Sequence, residues 1–436
     1  MREFVEFEIL NADLFQYQLV KWGNKFDNFI VLNSNRQNTS PHLYQEYDLM
    51  AAVNSISSIN NSNDHCFENL KNFNKITKDW IFGYLSYDLK NEIESLHSSN
   101  FDGIGFEKLY FFVPRYVFIL KKNVLRIEYC KNISSANEIN NIYYQIISFK
   151  INENRDKVHL DRIKQKFTKN EYINAVEKIK IHIIKGDIYE LNLCQEFYIE
   201  NIEIKPEIIY QRLNTISPSP FSCYMRNFDK YLLCSSPERF LTKRKQKIIS
   251  QPIKGTIHRS EDIIKDKELM LFLQNNEKEK AENIMIVDLV RNDLSRTAKI
   301  GSVNVEELCK IYSFGQVHQM ISTISSEIDK ANYDIIDLLK TTFPMGSMTG
   351  APKIRAMELI EKFEKTKRGI YSGSVGYISP SKDFDFNVII RSILYNCSNK
   401  YVSFTAGSAI TNQSVAEDEY NECILKADAM IKALTL

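Results

Sequence analysis

Residues 235–256 read SSPERFLTKRKQKIISQPIKGT, two strand-like runs on either side of a short basic turn. The pattern predicts a β-hairpin whose arms are residues 235–244 and 247–256. One arm carries Glu238, and the other carries Lys254 between an isoleucine and a glycine. The two residues form either a cross-strand ion pair, worth up to about 1 kcal/mol, or a pair of reactive groups.

Strands and helices occur in blocks around this hairpin rather than in strict alternation. That order favours an α+β fold over a doubly wound parallel sheet. One helix is predicted to open with a capping box of Thr168 and Glu171, and the final helix with a capping box of Ser414 and Glu417. Further helices are predicted at residues 137–149, 266–293 and 352–363. Strands are predicted at residues 29–34, 80–89, 114–122, 188–199, 223–234, 373–378, 386–395 and 401–406.

The length of 436 residues exceeds what one ordinary core supports, so two domains or one large intertwined domain are expected. Residues 1–130 are predicted to be mainly β, and residues 168–433 to form a second region of helices and strands. Residues 131–167 contain no glycine or proline, and they are predicted to hold a helix and a polar linker between the two regions.

The composition excludes several classes of protein. Lysine and arginine number 56 against 55 acidic residues, so the basic excess of a nucleic-acid-binding or membrane-surface protein is missing. There is no secretory signal pattern and no apolar run long enough to span a membrane, and the 8 cysteines form no CxxC pair. We therefore expect a cytoplasmic protein with reduced cysteines and without nucleic-acid or membrane partners.

Two predicted helices each carry a pair of glutamates three residues apart beside an apolar stripe. The pairs are Glu279 with Glu282 and Glu419 with Glu422, and Lys426 follows one turn after the second pair. A solvated helix face is one explanation for each pair. Four carboxylates that converge without matching arginines would instead need a hard divalent cation, for which Mg²⁺ is the simplest choice.

Glycine is scarce, 14 in the chain, but it is concentrated in PMGSMTGAPK (residues 344–353), RGIYSGSVGY (residues 368–377) and TAGSAI (residues 405–410). Glycine lets backbone N–H groups approach an anion closely, although each segment is also consistent with an ordinary turn. Arg391 lies in an apolar strand, where its charge needs either an anionic ligand or a structural carboxylate.

Six motifs together resemble those of the chorismate-utilising enzymes. In chain order they are SPERF, PIKGT, AENIMIVDLVRNDLSR, GAPKIRAMELI, YSGSVGY and TAGSAI. The family includes anthranilate synthase component I, aminodeoxychorismate synthase component I and the isochorismate and salicylate synthases, and the resemblance covers residues 168–433. It implies an α+β fold of the anthranilate synthase component I type, in which two intertwined subdomains form a central β-sandwich with helices outside.

The resemblance also implies catalytic roles. In anthranilate synthases the position of Lys254 is usually alanine (PIAGT), whereas PIKGT is similar to aminodeoxychorismate synthases, in which the lysine attacks the chorismate ring. Glu238 would be the general acid that protonates the departing hydroxyl group.

The same resemblance implies ligands for a metal ion and for the substrate. Glu282 and Glu422 would bind Mg²⁺, and Glu279 and Glu419 would orient its waters. The residues implied for substrate binding are Ser347, Tyr371, Arg391, Ala406, Gly407 and Lys426.

These roles imply formation of aminodeoxychorismate from chorismate and ammonia. A separate glutaminase subunit is the implied source of ammonia, because no cysteine is flanked by the glycines of a GxCxG elbow. Two alternatives stay open, an anthranilate synthase component I and a non-catalytic subunit that binds chorismate or tryptophan. Where the family commonly has a histidine, the chain has Gln319 next to His318, which weakens the case for pyruvate elimination.

Overall fold

Long antiparallel strands dominate the structure, a computed structural model that describes residues 2–36, 44–61, 64–150, 158–315 and 317–436. The ladders between its strands are antiparallel, and eleven helices accompany them in the described residues. The expected α+β class is confirmed.

The strands are β1 (Arg2–Glu8), β2 (Asn28–Asn33), β3 (Leu49–Asn61), β4 (Ile81–Leu85), β5 (Leu109–Lys121), β6 (Val124–Cys130), β7 (Lys164–Gln165), β8 (Glu190–Ile199), β9 (Phe221–Asn227), β10 (Lys230–Ser236), β11 (Arg239–Arg244), β12 (Lys247–Gln251), β13 (Ile253–His258), β14 (Asn304–Ser313), β15 (Val317–Glu327), β16 (Gly350–Ala351), β17 (Ser374–Ile378), β18 (Phe384–Val388), β19 (Ser392–Asn396) and β20 (Tyr401–Ile410).

The α-helices are α1 (Ala12–Gly23), α2 (Cys66–Ile76), α3 (Lys90–Ile93), α4 (Ala136–Ile147), α5 (Lys169–Ile184), α6 (Pro206–Ile216), α7 (Ile263–Asn275), α8 (Glu277–Ser295), α9 (Ile335–Thr342), α10 (Lys353–Phe363) and α11 (Ala416–Thr435). Short 3-10 turns lie at Tyr87–Leu89, Leu160–Arg162 and Gly346–Met348.

Two antiparallel sheets share strand β5. In the first sheet the neighbours are β1, β6, β5, β3, β2, β9, β10, β19, β20 and β8. In the second they are β5, β4, β17, β18, β11, β12 and β15, and β13 and β14 also pair with β15. Early strands therefore lie beside late ones in both sheets, as β2 does beside β9 and β4 beside β17.

Two hydrophobic cores follow from the alternation of side chains along these strands. Ile30 and Met50 of the first sheet belong to the same buried cluster as Phe386 of the second sheet. This cluster fills the space between the two sheets. Val31 and Ala51 point to the opposite face and belong to a second buried cluster, which also contains residues of helices α1, α4, α5, α6, α10 and α11. The result is a central sandwich with helices outside it, as the resemblance implies.

Residues 235–256 belong to more strands than the simple two-stranded hairpin that their sequence predicts. β11 and β12 pair as expected, but Ser235 and Ser236 belong to β10, and Pro252 separates β12 from β13. Proline has no N–H to donate to a ladder, which is why the strand is interrupted there. Lys254 therefore lies on β13, which pairs with β15 and not with the strand that follows Glu238.

Three longer predicted elements are also interrupted. The strand predicted at residues 223–234 is a hairpin of β9 and β10, and Phe228 in its turn has a φ of +56°. The helix predicted at residues 266–293 is two helices, because the Asn276 side chain accepts hydrogen bonds from the first backbone N–H groups of α8. The strand predicted at residues 386–395 ends at β18 and resumes at β19, and Arg391 between them has a φ of +51°.

One of the two predicted capping boxes is present. Thr168 and Glu171 cap α5 reciprocally, as predicted. The box predicted for Ser414 and Glu417 is wrong, because α11 begins at Ala416 after an N-cap residue that makes no side-chain hydrogen bond.

The predicted boundary region, residues 131–167, contains α4, which confirms the helix expected at residues 137–149. Residues 151–157 of the expected linker lie outside the described residues. The domain limits stay a prediction, and strands from both sides of them share the two sheets. In the described part of the chain, no helix combines the length and the apolar character that crossing a bilayer requires.

Candidate active site

Lys254 lies within a group of buried carboxylates. Its Nζ donates a hydrogen bond to Glu190 Oε1 at 2.6 Å and lies 4.0 Å from Glu282 Oε2, and its side chain is 10% exposed. Burial lowers the pKa of Lys254, but Glu190 and Glu282 outweigh burial, so the pKa lies above its usual value. In the described part of the chain these are the ion pairs of Lys254, and the cross-strand pair with Glu238 is not formed.

Glu190 is a candidate functional residue that the sequence patterns did not reveal. It opens β8, its side chain is buried, and one carboxylate oxygen holds Lys254. The other oxygen, Oε2, has no hydrogen-bond partner among the described residues. The available signal was a charged residue at the start of a buried strand, since a buried charge needs a partner.

Glu238 lies in the turn between β10 and β11 and is 5% exposed. Burial raises the pKa of Glu238 to about 7, although Ser347 and Lys254 act in the opposite direction. Ser347 and Pro252 line a small cavity beside it. A carboxyl group with a pKa near 7 can donate and accept a proton at neutral pH, as a general acid must.

The two glutamate pairs meet at the N-terminal turns of α8 and α11, and we call Glu279, Glu282, Glu419 and Glu422 the acidic cluster. Lys278 Nζ joins the two helices, 3.9 Å from Glu282 Oε1 and 3.8 Å from Glu419 Oε1. The positive ends of both helix dipoles favour carboxylates at this place. The structure thus brings together the pairs that the sequence placed on separate helices.

The carboxylate of Glu279 lies against Gly255 of β13. A Cβ atom on Gly255 would lie 3.1 Å from Glu279 Oε2, and Gly255 has a φ of +88°. Glycine is therefore needed next to Lys254 both for the backbone and for the space that the carboxylate occupies. Burial raises the pKa of Glu279.

Carboxylates of the acidic cluster contact serine and lysine side chains, but there are fewer lysines there than carboxylates. Ser408 Oγ donates to Glu419 and, at 3.3 Å, to Glu422, whose Oε1 lies 2.5 Å from Lys426 Nζ. Burial raises the pKa of Glu282 to about 7 despite the opposing effect of Lys254. Among the described residues, no three histidine, cysteine, aspartate or glutamate side chains lie close enough together to hold a metal ion. The donors of the acidic cluster are carboxylate oxygens, which is the ligand type that a hard divalent cation such as Mg²⁺ prefers.

Four of the residues predicted to bind the substrate lie close together. They are Tyr371, Arg391, Gly407 and Lys426. Lys426 Nζ donates to Gly407 O at 3.0 Å, and Arg391 Nη1 donates to Lys426 O at 3.4 Å. Tyr371 OH lies 3.9 Å from Cys194 Sγ, and a Cβ atom on Gly407 would come within 2.3 Å of that sulfur. No carboxylate of the described chain lies within ion-pair distance of Arg391, and burial lowers the pKa of Arg391. A small anionic ligand would supply the missing negative charge.

Ser347 and Ala406 complete the predicted set in different ways. Ser347 Oγ is buried and makes no hydrogen bond of normal geometry in the described residues, although it is near enough to Glu238 to lower the pKa of that carboxyl. Ala406 packs its side chain into the core on the helix side of the first sheet. Only the backbone of Ala406 therefore remains for contact with a ligand.

His318 is engaged in structural contacts. Its ring nitrogens lie 3.1 Å from Asp266 Oδ1 and 2.8 Å from Ser313 Oγ, and the side chain is buried. Gln319, at the position where the family commonly has histidine, pairs in register with Thr256 of β13. Neither residue presents a free imidazole to the site.

Comparison with known proteins shows which family the chain belongs to. The sequence profile of the chorismate binding enzymes matches residues 20–432. The chain belongs to the chorismate-binding enzyme family. The resemblance inferred from the six motifs is therefore confirmed.

Relatives in the chorismate-binding family include two kinds of synthase at similar identity. The chain is 38% identical to aminodeoxychorismate synthase component 1 of Bacillus subtilis (strain 168) over 270 residues, 62% of this chain and 57% of that protein. It is 35% identical to anthranilate synthase component 1 of Aquifex aeolicus (strain VF5) over 372 residues, 82% of this chain and 74% of that protein.

A solved structure confirms the type of fold. Anthranilate synthase component I from Streptococcus pneumoniae TIGR4 matches with a TM-score of 0.78 at 25% identity, over 90% of this chain and 93% of that chain. The match to the Bacillus subtilis protein, by contrast, spans little more than half of that relative's length. Overall identity alone therefore does not select one activity within the family.

Proposed function

We propose that this chain is the chorismate-aminating component of a cytoplasmic aminodeoxychorismate synthase. It would convert chorismate and ammonia to 4-amino-4-deoxychorismate, a step in para-aminobenzoate and folate biosynthesis. The observation that carries the proposal is Lys254, a buried primary amine held 2.6 Å from Glu190 at the position where anthranilate synthases usually have alanine. The 38% identity to aminodeoxychorismate synthase component 1 of Bacillus subtilis supports it.

Lys254 is the nucleophile of the proposed reaction. Glu190 accepts the ammonium proton across the 2.6 Å hydrogen bond, and the neutral amine forms a bond to ring carbon C2 of chorismate. The ring double bonds shift, and the bond between C4 and the hydroxyl oxygen breaks. Ammonia then forms a bond to C4, the double bonds shift back, and the bond between C2 and Lys254 breaks. The net change replaces the 4-hydroxyl group with an amino group and releases water.

Glu238 supplies the proton that turns the departing hydroxyl group into water. Its pKa of about 7 keeps a useful fraction protonated at neutral pH. In the second half of the reaction the Glu238 carboxylate takes a proton from the newly attached ammonia. Glu238 and Glu190 both return to their starting states, so no outside acid or base is consumed.

The acidic cluster would hold Mg²⁺ through Glu282 and Glu422, with Glu279 and Glu419 orienting its waters. The ion, when bound, supplies positive charge for the C1 carboxylate of chorismate. The enolpyruvyl carboxylate would bind beside Arg391, whose charge has no carboxylate partner in the described chain. The other residues proposed for this carboxylate are Ser347, Tyr371, Lys426 and the backbone of Ala406 and Gly407.

A separate glutaminase subunit, a glutamine amidotransferase, is the proposed source of ammonia. Five of the cysteines are buried, and none stands between the glycines of a GxCxG elbow. Supplying glutamine in place of ammonium salt tests this point. The purified chain should then form no product, and amination of chorismate from glutamine without a partner would contradict the proposal.

Product analysis separates the proposed activity from its rivals. The chain is incubated with chorismate, Mg²⁺ and ammonium salt, and the products are identified by mass. An aminated product that keeps its enolpyruvyl group is expected. Anthranilate and pyruvate would instead indicate an anthranilate synthase, which the 35% identity to the Aquifex aeolicus protein over 82% of this chain favours. Unchanged chorismate would indicate a non-catalytic binding subunit.

A further inference from the structure

Lys278 is a cation beside the acidic cluster, and it has no role in the proposed reaction. It lies in the first turn of α8, where the Asn276 side chain accepts hydrogen bonds from the backbone N–H groups of Lys278 at 3.0 Å and of Glu279 at 3.2 Å. The positive end of a helix dipole disfavours a lysine in this turn. Its ammonium group is instead balanced by Glu282 of its own helix and by Glu419 of α11.

The lysines around the acidic cluster differ in how firmly they are held. Lys254 and Lys426 each make an ion pair of normal hydrogen-bond length, 2.6 Å and 2.5 Å. The two pairs of Lys278 are 3.8 Å and 3.9 Å long, and 43% of its side chain is exposed. A long ion pair of a half-exposed lysine is weak, because water competes for both charges. Lys278 can therefore leave the cluster without disturbing the core.

We propose that Lys278 is an exchangeable counter-ion. It neutralises Glu282 and Glu419 in the metal-free enzyme and moves into solvent when a divalent cation binds to the acidic cluster. This inference rests on the proposed assignment of the metal to the cluster. An ammonium group and a divalent ion that lie against the same carboxylates repel each other, so the two compete. Lys278 thus lowers the affinity of the acidic cluster for the ion.

Manganese binding tests the proposal without measuring catalysis. Free Mn²⁺ is quantified by electron paramagnetic resonance during titration of the full chain. Lys278→Met should bind Mn²⁺ about tenfold more tightly than the wild type, and Lys278→Arg should resemble the wild type. Lys280→Met is the matched control, because Lys280 is on the same helix but pairs with the exposed Glu277 at 3.7 Å. It should leave Mn²⁺ affinity unchanged, which excludes a general effect of net charge.

Displacement itself is tested by acetylating surface lysines and measuring each site by mass spectrometry. Labelling of Lys278 should rise when Mn²⁺ saturates the protein, and labelling of Lys280 should not change. Equal or weaker Mn²⁺ binding by Lys278→Met, or unchanged labelling of Lys278, would overturn the proposal. If neither the wild type nor Lys278→Met binds Mn²⁺, the proposal and the metal assignment both fail. The proposed amination is judged separately by product analysis.

Discussion

Lys254 and the acidic cluster lie on two sides of one candidate site, but they are held in different ways. On the lysine side the contacts are short and buried, as in the 2.6 Å bond between Lys254 and Glu190. On the cluster side, Lys278 bridges two helices at 3.8 Å and 3.9 Å and remains half-exposed. Under the proposed roles, the side that moves protons is preassembled, whereas the side that would take up an ion has one weakly held lysine beside its shorter contact between Lys426 and Glu422.

The largest expected effect removes the nucleophile. Lys254→Ala should lower aminodeoxychorismate formation by roughly 10³-fold or more, because no other primary amine is held at that position. Any remaining product should shift towards the anthranilate type, and mass analysis of the products checks both points. Lys280→Ala is the control and should be fully active. Full activity of Lys254→Ala with an unchanged product would end the covalent-lysine mechanism.

The next effect concerns the cluster side. Glu282→Gln or Glu422→Gln should reduce Mg²⁺-dependent turnover by about 10²-fold or more, since each removes a charge that nothing nearby replaces. Steady-state rates across a Mg²⁺ titration provide the measurement. Glu277→Gln, at an exposed position on the same helix, should leave the rates unchanged. Undiminished wild-type turnover in excess chelator would refute the assignment of the metal.

A smaller effect tests the partner of the nucleophile. Glu190→Gln should lower kcat by roughly 10²-fold with little change in KM for chorismate, because glutamine cannot accept the proton of Lys254. Glu196→Gln is the matched control, since Glu196 is a buried glutamate of the same strand whose carboxylate bonds to Ser403 at 2.6 Å. Unchanged or faster turnover of Glu190→Gln would mean that Glu190 only stabilises the ammonium form.

The smallest effect is on stability and not on rate. The pKa of Glu238 in the folded protein, about 7, lies above its ordinary value of 4.5, so ionising it costs folding free energy. Stability is therefore lost as pH rises from about 4.5 to 7, and the loss is complete above that range. Glu238→Gln should raise the free energy of unfolding by about 1–3 kcal/mol at pH 8 but not at pH 4. Denaturant titrations at both pH values check this, and a destabilised variant at pH 8 would contradict it.

Local patterns were sufficient for the class of fold and for part of the helices and strands. The capping box of Thr168 and Glu171 and the helix near residues 137–149 are present as predicted, because both depend on residues close in the chain. Motif spacing also placed the glutamates of the acidic cluster on single faces of their helices. The patterns missed the interruptions at residues 228–229, Pro252, Asn276 and Arg391, because one or two residues can end an element whose apolar period continues. They also missed whole elements, among them α1, α2, α6, α9, β3, β14 and β15.

The sequence by itself determined which residue types the site contains, and above all the lysine of PIKGT. Only the tertiary structure decided what those residues contact. Glu190 and Lys254 are 64 positions apart, and Lys278 and Glu419 are on helices from different parts of the chain. The raised pKa of Glu238 likewise comes from burial by other elements. Periodicity and capping act over a few residues, whereas ion pairs and desolvation depend on atoms that folding brings together from distant segments.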